Sequence, residues 1–287
     1  MHRKKVKGIL SSKNGMNLYR GCTHGCIYCD SRSTCYKMDH AFEDVEIKEN
    51  AIELLENELK RKRKKAMISS GSMTDPYMPL EKSIRSTHKS LELIEKYGFG
   101  ATLITKSSSV LDDLELLKRI NEKTKAVVQM TLTTFDKDLC RILEPHVCTT
   151  RERFETLIIL KENNIPTVVW FAPLLPFIND TRENMEGILN YCIEAHVKGI
   201  ICFGIGVTLR EGDREYFYEQ LVKYFPGLKD KYIATYGNDY YLPSANEKEL
   251  MKLFRKTCRE HGIMDNPDDI FKYLATFEDK KQLSLFE

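Results

Sequence analysis

Short apolar runs rich in β-branched residues recur along the chain, separated by longer segments whose apolar positions fall at helical spacing. Five runs, Met67-Ile68-Ser69, Ala101-Thr102-Leu103-Ile104, Val127-Val128-Gln129-Met130, Val168-Val169-Trp170-Phe171 and Ile200-Ile201-Cys202-Phe203, read as short strands buried on both faces; Met16-Asn17-Leu18-Tyr19 is a weaker sixth. Between them lie amphipathic stripes: Ile47, Ala51, Leu55 and Leu59; Ile84, Leu91 and Ile94; Val110, Leu114 and Leu117; Phe154, Leu157 and Ile158; and Met185, Ile188, Leu189, Cys192 and Ile193. Buried strands alternating with crossover helices predict an α/β protein with a parallel sheet, open or closed into a barrel. The alternation stops near Thr208, and 211–264 reads as two helices around a tyrosine-bearing loop at 232–241. The expected organisation is a basic segment at 1–14, a barrel core at 15–210, a helical appendage at 211–276 and a flexible tail at 277–287.

With 287 residues, 42% of them hydrophobic, the chain can bury a sizeable core and is too apolar to be disordered. Its 44 Lys and Arg against 42 Asp and Glu leave a formal charge of +2, which excludes a strongly basic nucleic-acid coat and shifts any binding surface to local clustering. The apolar stretch 165–178 is broken by Pro166, Pro173 and Pro176 and falls short of the roughly 20 residues of a spanning helix, so no membrane partner is expected. The basic start at His2-Arg3-Lys4-Lys5 leads into only Gly8-Ile9-Leu10, too short for a signal-peptide core, which predicts a cytoplasmic location. In a reducing compartment nine cysteines, an odd number, point to metal or reactive roles rather than disulfides.

Three of the nine stand together in Tyr19-Arg20-Gly21-Cys22-Thr23-His24-Gly25-Cys26-Ile27-Tyr28-Cys29, spaced C-x3-C-x2-C just after the first expected strand. Glycines at 21 and 25 let the loop wrap tightly enough to aim three thiolates at one point. Structural zinc takes four ligands, and His24 or Cys35 is a candidate fourth. A [4Fe–4S] cluster on three thiolates keeps one iron open. The triplet's place, at the C-terminal end of the first strand of a parallel α/β pattern, is where barrel active sites are built.

On this motif, with Tyr28 as the aromatic residue before the last cysteine, the sequence resembles the radical S-adenosylmethionine (radical SAM) enzymes over about residues 15 to 210, and most closely their spore photoproduct lyase-like, DNA repair photolyase-type branch. The resemblance implies a partial (β/α)6 TIM barrel with a C-terminal helical extension and a [4Fe–4S] cluster on Cys22, Cys26 and Cys29. It also implies S-adenosyl-L-methionine (SAM) on the open iron, an external electron donor of flavodoxin or ferredoxin type, and reductive cleavage to a 5′-deoxyadenosyl radical that abstracts hydrogen from substrate. A cover over the site is expected, since water would waste the radical. Polar residues after the strands are candidates to hold SAM: Thr74 and Asp75 in Gly71-Ser72-Met73-Thr74-Asp75, with Asp75 accepting from the ammonium; Lys106 on the carboxylate; Thr131, Thr133 and Thr134 on ribose or carboxylate; and Pro173 and Tyr28 beside the adenine.

The sequence departs from the photoproduct lyases where their hydrogen relay stands. The loop after strand two holds Ser72 rather than a cysteine, and Asp30 follows Cys29 where they carry a tyrosine, so thymine-photoproduct cleavage is not expected. Cys35, Cys140 and Cys148 are alternative thiol donors, or simply incidental cysteines. The six consecutive basic residues at 60–65 end a helix and lead into the N-terminal end of a strand, which reads as a solvated helix end facing away from the cluster more readily than as a phosphate contact. The tail Gln282-Leu283-Ser284-Leu285-Phe286 resembles the peptide by which bacterial repair proteins dock on the sliding clamp. DNA repair on a nucleic-acid substrate is the leading expectation; a peptide or small-molecule substrate, and a non-catalytic metal-bearing clamp accessory, are the alternatives.

Overall fold

The computed structural model describes residues 1–280; the candidate clamp-docking residues Gln282, Leu283, Leu285 and Phe286 lie outside them. Six parallel strands form one sheet in chain order: β1 (Gly15–Met16), β2 (Met67–Ser70), β3 (Gly100–Thr105), β4 (Ala126–Thr131), β5 (Thr167–Trp170) and β6 (Gly199–Ile201). Each of the six runs read from the sequence yields one of these strands, although the first contributes only two residues. Its continuation, Tyr19–Arg20, pairs antiparallel with Glu46–Lys48 in a separate three-stranded sheet that also takes His2–Lys4. That ladder captures Ile47 as strand, so α1 runs over Ala51–Arg61 and not from 47.

Helices α2 (Ser86–Lys96), α3 (Leu114–Lys123), α4 (Thr150–Glu162) and α5 (Arg182–Glu194) follow on the same face as α1. The stripe at Ile84 is cut from α2 by Arg85, whose φ of 55° closes a separate turn at Glu81–Ile84. The stripe at Val110 begins as a 3-10 turn before α3. A capping box starts α4, with Thr149 and Glu152 satisfying each other's backbone amides. Alternate strand residues divide between two cores. Ile68, Ala101, Leu103, Val128, Met130, Val169 and Ile200 meet the helices, in one core with Leu55, Leu91, Leu117, Leu157 and Ile188.

Residues beyond Thr208 do more than append helices. Helix α6 (Glu247–Glu260) packs on α5 and sends Leu250, Phe254 and Cys258 into the same outer core. Helix α7 (Pro267–Ala275), started by Asn266 and Pro267, lies on the other face of the sheet, where Ile270 and Leu274 meet Val127, Val168 and Ile201. This partial barrel therefore carries its last helix on the inner face. The tyrosine segment 232–241 expected as a loop begins in a helix: 232–236 end the helix Leu228–Tyr236, the chain then turns into the strand Tyr241–Pro243, and Tyr232 is fully buried between the helices Asp213–Tyr224 and Leu228–Tyr236 and Ile27, Tyr28 and Leu175. Among the described residues no helix is long and apolar enough to cross a membrane.

Candidate metal and cofactor site

The cysteine loop is shaped by hydrogen bonds to three other segments. At Gly21, φ is 85° and a Cβ would collide with the Phe42 carbonyl oxygen, which accepts from the Cys22 amide at 3.1 Å. The Gly21 carbonyl accepts from the Thr74 hydroxyl at 2.6 Å, and the Ile27 amide donates to Leu143 at 3.0 Å. Opposite, Gly71 has φ 98° and packs where a Cβ would strike the Ile104 carbonyl, so the turn after β2 lies against β3. Together these place Cys22, Cys26 and Cys29 around one chamber of about 100 Å³, with Ser72, Thr74, Asp75, Lys106 and Thr131 in its walls.

All three cysteines are free thiols. Burial pushes Cys22 up to about 12 and Cys26 higher still, so each forms a thiolate only against the positive charge of a bound metal. The three sulfurs do not all fall within 4.8 Å of one another. Tetrahedral zinc, with bonds of about 2.3 Å, holds its sulfurs about 3.8 Å apart. The three sulfurs are therefore not gathered at the spacing of a preformed zinc site; of the two candidate fourth ligands, Cys35, exposed and contacted by Arg210, does not line the chamber, whereas His24 does.

The Lys106 side chain carries the site's positive charge. Burial pulls its ammonium down, but negative charge around it, from Cys26 and Cys29 when they are thiolates and from Glu144, more than offsets this and holds it above its ordinary range. Asp75, expected to receive the SAM ammonium, lines the chamber and accepts from the Thr105 hydroxyl, the Lys106 amide and the Tyr77 amide, each at 2.8 Å, with His24 Nδ1 3.5 Å away. These bonds pin the β2 turn to the end of β3. Burial lowers His24, keeping the imidazole neutral beside that carboxylate.

Tyr28 and Pro173, expected beside the adenine, do not line the chamber. The Tyr28 ring is buried with Leu143 and Leu175, and its hydroxyl donates to Glu144, an acceptor the sequence did not disclose. Glu144 and Arg153 are both fully buried and paired at 2.6 Å. Burial alone would raise the Glu144 carboxyl, yet Arg153 and Lys106 hold it below the usual range. Arg153 also donates to the carbonyls of Thr131 at 3.1 Å and Cys148 at 2.7 Å, joining α4 to the end of β4. A signal was present: Arg153 stands four and seven residues before Leu157 and Leu160, a charge on the buried stripe of α4.

The alternative thiols lie elsewhere. Cys148 donates to the Lys106 carbonyl at 3.0 Å, and Cys140 is buried beside Glu144 and Thr150. Thr133 and Thr134 are buried and hold one another and Asn179 rather than the chamber. Asp30, in the position after the last cysteine, accepts from Tyr36 and Ser33. Ser72 is exposed at the chamber wall.

An open parallel α/β barrel bearing a three-cysteine loop at its first strand defines a class of cofactor-dependent protein, and sequence comparison identifies the class. The profile of the Radical SAM superfamily matches residues 16–192, and the chain belongs to that superfamily. It is 27% identical over 241 residues to an uncharacterized protein of Mycobacterium tuberculosis (strain ATCC 25618 / H37Rv), covering 82% of this chain and 70% of that one. With an uncharacterized protein of Methanocaldococcus jannaschii it shares 31% identity over 176 residues, 61% of this chain and 65% of the relative. In fold it is similar to spore photoproduct lyase: one variant superposes with a TM-score of 0.64 over 90% of this chain and 77% of the other at 15% identity. Another, with bound AdoMet and dinucleoside spore photoproduct, gives 0.61 over 85% and 73% at 14% identity.

Proposed function

We propose that the chain is a radical SAM enzyme whose substrate is a nucleic acid, with Cys22, Cys26 and Cys29 holding a [4Fe–4S] cluster and Lys106 holding the SAM carboxylate. The observation that carries this reading is the single chamber shared by three free thiols and the Lys106 ammonium. When bound, the cluster supplies one electron for reductive cleavage of SAM, delivered from an external donor protein. Three protein ligands leave an iron for SAM. Lys106 offers a charge-assisted bond to a carboxylate, strengthened by partial burial. Thr74 and Asp75 keep the β2 turn in place as the chamber's opposite wall. The helices Asp213–Tyr224 and Leu228–Tyr236 pack over the Cys26–Tyr28 side of the loop and exclude water from it.

The nucleic-acid substrate is supported by likeness in fold to a lyase whose structure holds a dinucleoside photoproduct. The relay residues of that chemistry are replaced here by Ser72 and Asp30, so the proposed reaction is a hydrogen abstraction other than thymine-photoproduct reversal. Anaerobic reconstitution with iron and sulfide, chemical reduction and addition of SAM tests the reading: 5′-deoxyadenosine forms with the parent chain. No product beside an active control enzyme, or one zinc and no iron in anaerobically isolated protein, overturns it.

A further inference from the structure

Beneath the cluster chamber lies a second, larger cavity of about 580 Å³, within the range of small-molecule sites. The Ile104 side lines both, so the two spaces share a wall. This cavity occupies the inner face of the sheet, between the β1 edge at Lys13 and Asn14 and the β5 side at Trp170, with Phe271 of α7 below. Three features of its walls are unusual together.

Trp170, Phe203 and Phe271 form an aromatic cluster, with ring centroids 6.0, 6.0 and 6.3 Å apart. Phe271, which lines the cavity, is 40% exposed, and Phe203, outside the lining but against the Trp170 and Phe271 rings, is 63% exposed. Inside, the Gln129 amide is fixed by donating to the Thr102 hydroxyl at 2.8 Å and accepting from the Trp170 indole at 2.8 Å. An amide has two donors and two lone pairs, so Gln129 keeps one of each, the pairing that reads the edge of a base. The third feature is charge. Lys62 Nζ donates to Asn14 Oδ1 at 2.7 Å, which brings Lys62 to the cavity's lip beside exposed Lys13; of its neighbours in the run, Lys60 pairs with Glu56 and Lys65 lies over the Phe99 ring. The run does leave the end of α1 toward the N-terminal end of β2, as the sequence suggested, and Ala66 and Met67 at that end line the cavity.

We infer that this cavity binds one unstacked base of a single-stranded polynucleotide, stacked on the Trp170 and Phe271 rings with Phe203 flanking them and hydrogen-bonded by Gln129, while Lys13, Lys62, Arg63 and Lys64 hold the adjoining phosphates. The inference rests on the nucleic-acid reading above and gives it a site: a base seated here lies across the Ile104 wall from the cluster chamber. Stacking tolerates any base, and the phosphate contacts supply a salt-dependent share of the affinity.

Trp170 is the sole tryptophan of the chain, so its emission reports directly on the cavity. The anaerobically reconstituted full-length protein is titrated with a decamer of thymidylate and, in parallel, of uridylate, at several salt concentrations. Saturable quenching by either strand supports the site, and the tighter strand identifies the sugar. The surface double variant Phe203→Ala, Phe271→Ala is expected to bind about 5- to 100-fold more weakly with an unchanged salt slope. Arg63→Gln with Lys64→Gln should instead flatten the slope of log K against log salt by about 1.4. No quenching at about 0.1 mM strand, the weak end of non-specific nucleic-acid affinity, overturns the inference. Parent-like affinity in the phenylalanine variant, or equal quenching by polyglutamate of matched charge, overturns it too. Production of 5′-deoxyadenosine without quenching sinks the base site alone; quenching without 5′-deoxyadenosine sinks the radical SAM reading alone.

Discussion

At the scale of single residues, the site divides into three cysteines proposed to hold the metal, a lysine proposed to hold SAM, and several groups that keep these in place. Replacing Cys26 by alanine removes one of the three proposed cluster ligands, and iron content and 5′-deoxyadenosine formation should fall together to background. Lys106→Met is expected to keep the cluster's visible absorbance while weakening SAM binding about 10-fold or more, since a charge-assisted bond contributes about 1.5–3 kcal/mol. Equal SAM affinity in that variant would remove Lys106 from the binding site. Asp213 gives a pH-dependent test away from the chamber. Burial raises its carboxyl to about 6 from an ordinary 3.8, and its Oδ2 has no hydrogen-bond partner. The folded value exceeds the unfolded one, so the folded chain holds the extra proton: its stabilising effect is complete below about pH 4 and is lost as pH rises through 6. Asp213→Asn should therefore melt above the parent at pH 8, with the gap narrowing as pH falls through 6 and closing below about pH 4; a pH-independent gap contradicts the assignment.

At the scale of elements, α4 and α7 do work that their amphipathic patterns only hint at. Through Arg153, α4 fixes Glu144, the Thr131 carbonyl and the Cys148 carbonyl at once. Glu144→Gln leaves a buried guanidinium uncompensated and should cost about 3–5 kcal/mol in denaturant unfolding, whereas Glu144→Gln with Arg153→Met should recover much of that loss. Additive losses in the double variant would show that the two residues do not act as a pair. Helix α7 fills the lower inner face of the sheet through Ile270 and Leu274. Leu274→Ala should lower stability by about 2–5 kcal/mol, the range for a leucine truncated in a packed core. The apolar run of β4 already implied burial on both faces; which helix covers the inner one was not visible, because α7 lies well over 100 residues downstream and carries an ordinary helical stripe.

For the whole molecule, the segment beyond Thr208 closes the protein on three sides: α6 completes the outer layer, α7 the inner face, and the two helices around Tyr232 cover the cysteine loop. Tyr232 is buried and donates to the Pro176 carbonyl at 2.6 Å, anchoring that cover to the loop after β5. Tyr232→Ala is expected to bind the same iron anaerobically and to lose cluster absorbance faster in air; an unchanged decay rate would mean that these helices do not shield the cluster.

By itself the sequence determined the six strands, most of the helices and the three cysteines, because each is written in local periodicity or in spacing within one loop. It also placed Thr74, Asp75, Lys106 and Thr131 at the strand ends that form the chamber, since polar residues that follow parallel strands gather on one rim. Their roles were a different matter. Asp75 is tied to the end of β3, the Tyr28 hydroxyl is held by buried Glu144, and Lys62 reaches a cavity lip through Asn14. Only the tertiary structure decided these points, because each depends on partners brought together from separate segments of the chain. A buried hydrogen bond or ion pair is chosen by which group the fold delivers within 3 Å, and no local pattern carries that information.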